Sequence, residues 1–67
     1  MKHIIIDNEV SSIPEAIDRL GAELIMSKMN AEIQAEVDKD KKRRSDKDYI
    51  RAYLKLADDD IVVNTND

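Results

Sequence analysis

Residues 12–44 read SIPEAIDRLGAELIMSKMNAEIQAEVDKDKKRR, and how this stretch folds decides the architecture of the chain. Ser12-Ile13-Pro14-Glu15 has the form of a capping box: the Ser12 hydroxyl accepts from the Glu15 amide, and Glu15 reaches back to Ser12. Pro14 falls in the first turn, where a missing amide proton costs little. Beyond it there is one Gly, Gly21, and no further Pro as far as Arg44. Glu15 with Arg19, Asp38 with Lys42 and Asp40 with Arg44 are i,i+4 pairs with the acid on the N-terminal side, the better orientation. These features predict one helix over 12–44, about 45 Å long at 1.5 Å per residue.

The apolar pattern offers a second solution. Ile13, Ile17, Leu20 and Leu24 form one stripe, and Ala22, Met26, Met29, Ile33 and Val37 form another on nearly the opposite face. Either one long helix packs on two different neighbours, or the helix breaks near Asn30, which then caps a second helix from Ala31. Gly21 is a weaker break point. With no strong stop signal before Ser45, the unbroken helix is the expectation.

The flanks are shorter. Lys2-His3-Ile4-Ile5-Ile6 is β-branched and bounded by Asp7-Asn8-Glu9, a strand followed by a turn. Three successive Ile predict a strand covered on both faces. Ser45 caps a helix over 45–57, with Asp46 and Asp48 in its first turn. Tyr49, Ile50, Tyr53, Leu54 and Ala57 share one face of it. Asp58-Asp59-Asp60 opposes the helix dipole and ends the helix. Ile61-Val62-Val63 is a short strand that could pair with the first, and 64–67 is a polar tail. The fold class expected is therefore mainly α, a helical hairpin with short terminal strands. It forms one small domain, divided into strand and turn (1–11), long helix (12–44), second helix (45–57) and acidic segment, strand and tail (58–67).

Composition bounds the function. The chain has 67 residues with 11 Lys plus Arg, 15 Asp plus Glu and one His, net charge −4. It has no Cys, Phe or Trp. That excludes a disulfide scaffold, a Cys zinc site and a Cys nucleophile, and one His excludes a two-His metal motif. No apolar run approaches the ~20 residues of a membrane span, and no leader suggests secretion, so a cytoplasmic protein is expected. So small a chain buries only about 60% of its unfolded surface. With no large aromatic to add core, a homodimer or larger oligomer is expected. Leu20, Leu24, Met26, Met29, Ile33, Tyr49 and Tyr53 are the candidate oligomer or partner interface.

Charge is segregated. Residues 1–38 carry three basic and eight acidic groups, net −5; residues 39–55 carry eight and three, net +5; residues 56–67 carry four acids. Lys39, Lys41, Lys42, Arg43 and Arg44 make a candidate patch for an acidic protein or a nucleic acid. The plainer reading is a solvated helix end, since nucleic-acid domains are usually basic overall. Asp58-Asp59-Asp60, with Asp7 and Glu9 if the terminal strands pair, could gather around a cation. No loop spacing supports this, and a helix stop plus solubilising charge is the plainer reading. His3 has no acid or nucleophile beside it, and no serine lies in a nucleophile elbow.

No catalytic constellation, cofactor motif or metal motif is present, so the chain reads as a non-enzyme needing no cofactor. The leading expectation is a small interaction protein that self-associates and binds a cytosolic protein to modulate or inhibit it. Small acidic proteins of this kind often serve phages, plasmids or stress regulons, a prior drawn from the class alone. The alternative is a DNA-binding regulator or antitoxin. The order strand, helix, helix resembles the ribbon-helix-helix plan, in which a dimer lays a two-stranded ribbon in the major groove. The resemblance implies Lys2 and His3 near bases and Lys41 to Arg44 near phosphates. The chain departs from the plan in lacking an alternating polar strand and a Gly-containing turn between the helices.

Overall fold

The computed structural model describes residues 1–40 and 44–66. The chain begins with a hairpin of β1 (Ile4–Ile6) and β2 (Glu9–Ser11). Helices α1 (Ile13–Leu20), α2 (Ala22–Ser27), α3 (Ala31–Asp38) and α4 (Asp46–Leu56) follow, and β3 (Ile61–Val63) closes the order. The architecture is thus mixed: four helices and a three-stranded sheet among the described residues, helix-rich as expected but with more sheet.

Asp7 and Asn8 join β1 to β2 with φ of 50° and 70°. Positive φ at both central residues is the requirement of a type I′ turn, whose twist matches a hairpin; Asp and Asn tolerate it. The register sets Ile5 opposite Val10 and Ile6 opposite Glu9. Strand β3 returns on the other side of β1, parallel, with Ile5 beside Val62, so the sheet order is β2-β1-β3. The expected pairing of the two terminal strands is present. The strand Glu9–Ser11 sits where the sequence reads only as a turn and a helix lead-in.

The long helix over 12–44 is a correction. Three helices occupy the stretch, broken at Gly21 and again around Lys28–Asn30. The whole molecule spans 35 Å along its longest axis, too short for the unbroken rod of about 45 Å. The cause lies in the two opposed apolar stripes: a straight helix in one chain can bury only one of them. The breaks re-aim each segment, so that Ala16, Ile25, Met29 and Val37 all reach one core.

Local chemistry supports each break. Gly21 stands at φ 85°, a conformation open to Gly, and its N–H closes α1 onto the Ile17 carbonyl. Asn30 caps α3, its Oδ1 accepting from Glu32 and Ile33 N–H at 2.9 and 3.4 Å. Ser12 and Ser45 cap α1 and α4, each accepting from the amide three residues on. The core joins Ile4, Ile6, Ile61 and Val63 of the sheet to Ile50, Tyr53 and Leu54 of α4. No described helix is long and apolar enough to cross a membrane.

Candidate interaction surface

Side chains alternate across a strand, so the two registers fix which residues share a face. Ile4, Ile6, Ser11, Ile61 and Val63 point to the core and are buried. Ile5, Val10 and Val62 stand side by side on the other face, one from each strand. Ile5 is half-buried, whereas Val10 is 65% and Val62 53% exposed. The expected cover on both faces of β1 is therefore corrected: helices pack on one face, and the second carries an apolar row. Stray surface valines need no explanation, but an in-register row is a surface that another molecule can cover.

The ends of the strands are polar and tied within the chain. At one end Asp60 Oδ1 accepts the His3 backbone N–H at 2.8 Å, and the His3 side chain is exposed. At the other, the Asp7 carboxylate accepts from Thr65 N–H and the Thr65 hydroxyl at 2.8 and 2.5 Å. Arg19 Nη2 lies 3.8 Å from Asp7. The Thr65 hydroxyl and then its amide hold the Asp7 carboxyl below its ordinary pKa, partial loss of water opposes them, and Arg19 adds a smaller attraction. Because β1 and β3 run parallel, Asp60 precedes one strand and Asp7 follows the other. The two acids thus sit at opposite ends of the sheet and cannot gather around one ion. No metal-ligating cluster occurs among the described residues.

The residues singled out as an interface divide into two sets. Met29 and Tyr53 are buried in the chain's own core. The Tyr53 hydroxyl accepts the Asn30 N–H at 2.7 Å and so locks α4 to the break before α3. Leu20, Met26, Ile33 and Tyr49 are half-buried against that core, and Leu24 is exposed. Tyr49 donates to Asp38 Oδ1 at 2.8 Å; burial first, and then that carboxylate, push the phenol above its ordinary pKa.

Of the basic run, Lys39 pairs with Glu36 at 2.8 Å and Arg44 with Asp40. Lys41, Lys42 and Arg43 lie outside the described residues. A cleft of about 220 Å³ opens between the α2–α3 break and Asp58–Asp60, floored by Met29, Ile33 and Tyr53. A second, of about 300 Å³, lies between Met1–Ile4, the start of α1 and Arg51 and Leu54 of α4.

Sequence reasoning missed the row Ile5, Val10 and Val62. The one signal was the polar-apolar-polar order of Glu9-Val10-Ser11, a strand of only three residues, while Ile4-Ile5-Ile6 shows no alternation. Hydrogen bonds occupy β1 on both edges. It has no free edge to lend to a two-stranded intermolecular ribbon, the element on which the ribbon-helix-helix plan depends. Comparison with family models, curated proteins and solved structures finds no match.

Proposed function

We propose that this chain is a small non-enzymatic interaction module that self-associates and binds a protein partner to modulate or inhibit it. The observation that carries the reading is the in-register row of Ile5, Val10 and Val62 on the uncovered sheet face. A β-branched row costs hydration on a free surface and gains by being covered. Residues committed to the core, such as Met29 and Tyr53, hold the fold instead, and Leu24 of α2 is a separate exposed apolar side chain.

The test is a triple variant, Ile5→Thr, Val10→Thr and Val62→Thr. Thr keeps the β-branched shape that suits a strand while removing the apolar surface. Wild type and variant are tagged and used to capture partners from lysate, with and without nuclease. A stoichiometric protein that survives nuclease and is lost with the folded variant is the expected result. Capture abolished by nuclease would overturn the reading in favour of DNA binding, with Lys39 to Arg44 the next residues to replace.

A further inference from the structure

On β3, Ile61 N–H donates to the His3 carbonyl at 2.9 Å, and the Val63 carbonyl accepts from Asp7 N–H at 3.0 Å. Alternate residues of a strand turn their backbone groups to the same neighbour. Ile61 and Val63 therefore face β1, and Val62 between them faces outward. The Val62 N–H and C=O carry no hydrogen bond among the described residues. Edge strands are usually blunted by Lys, Pro, a bulge or a covering element, or by being very short, and of these β3 has only its three-residue length. Ile61-Val62-Val63 contains neither Lys nor Pro, and its register with β1 is unbroken. The opposite edge, β2, starts with the charged Glu9.

We infer that β3 of one copy pairs antiparallel with β3 of a second copy about a two-fold axis at Val62, joining two three-stranded sheets into one of six. The inference rests on the self-association proposed above and names its surface. Charge selects the register. Centred on Val62, the pairing sets Asp60 of one copy opposite Asn64 of the other, a carboxylate against an amide. Centred on Asp60, it would set carboxylate against carboxylate, which is destabilising. The two Val62 residues then exchange both backbone hydrogen bonds. The row Val10-Ile5-Val62 continues into the same row of the second copy, doubling the apolar face. An isologous pair of this kind uses up the edge and closes at two. Three-residue edges bury little, so the dimer falls in the weak class, below about 1,200 Å².

The backbone geometry supplies a selective test. Val62→Pro removes an N–H that bonds nothing among the described residues, and Pro is tolerated on an edge strand whose N–H faces outward. Sedimentation from micromolar to millimolar concentration should show wild type dimerising. Val62→Pro should keep its circular dichroism and melting transition and dimerise at least about tenfold more weakly, the loss of about 1.4 kcal/mol. Val62→Cys, the sole cysteine, should oxidise to a cross-linked dimer faster than Val10→Cys. A Cα separation of about 5.5 Å in a hydrogen-bonded antiparallel pair lies inside the disulfide range. Should Val62→Pro unfold, that difference in cross-linking decides the matter.

A dimer that survives Val62→Pro, a mass that grows without closing, or a wild type monomeric throughout would overturn the inference. A folded, monomeric Val62→Pro that still captures a protein partner would support β3 pairing while leaving partner binding to another surface. Failure of wild type to capture any protein would instead remove the partner-binding part of the parent reading.

Discussion

At the scale of single residues, Asp7 carries more than its place in a turn suggests. It holds positive φ, closes the hairpin, and accepts two hydrogen bonds from Thr65, so it ties the tail after β3 to the far end of β1. Those bonds favour the ionised carboxylate and lower its pKa in the folded chain from the ordinary 3.8. A carboxyl whose folded pKa is depressed stabilises the fold fully above the ordinary value, and the contribution is lost as pH falls through the folded value. The urea midpoint of the wild type should therefore drop as pH is lowered from 5 through about 3.8 and below. Asp7→Asn keeps the turn, because Asn also tolerates positive φ, and should show a shallower fall over that window. Parallel profiles for the two proteins would show that the Thr65 bonds contribute nothing to stability.

At the scale of elements, the sequence carried the helix starts clearly. Ser12 and Ser45 are read as caps from residue type and spacing, Asn30 only in the broken-helix alternative, and each accepts an amide of the helix that follows. The amphipathic face Tyr49, Ile50, Tyr53, Leu54 and Ala57 supplies much of what the helices bury. The breaks were harder to read, because a cap shows where a helix can start and not whether the one before it stops. The opposed stripes held that information: with one chain to pack against, they require the axis to turn. The open row was hidden for a different reason. Period-2 alternation cannot be told from chance over three residues, and β2 gains its meaning only through pairing with β1. Gly21 gives the element-scale prediction. A Cβ there would meet no atom within 4 Å, yet φ 85° with ψ 145° is a region that L side chains rarely enter. Gly21→Ala should thus lower stability by about 1–3 kcal/mol through backbone strain alone. Thermal melting of a folded variant checks it, and an unchanged midpoint would mean that α1 and α2 can join into one helix at no cost.

At the scale of the whole molecule, charge and apolar surface act against each other in any self-pairing. Each copy carries net charge −4, and the acids Asp58, Asp59 and Asp60 lead directly into β3. Two copies joined edge to edge at Val62 bring both acidic trios into one assembly, where they repel. Salt shortens the reach of that repulsion, from about 10 Å at 0.1 M to about 3 Å at 1 M, and leaves the backbone bonds and the valine contacts in place. Dimerisation through β3 should accordingly tighten by a few-fold between those two ionic strengths, read by sedimentation at fixed pH. Association through attraction between the basic 39–55 segment of one copy and the acidic tail of another would respond with the opposite sign, since screening weakens it. The direction of the salt response therefore separates the two modes without any substitution. A dimer that loosens in salt would transfer the interface from the sheet edge to the segregated charge, and with it the residues to replace, from Val62 to Lys39 and Arg44.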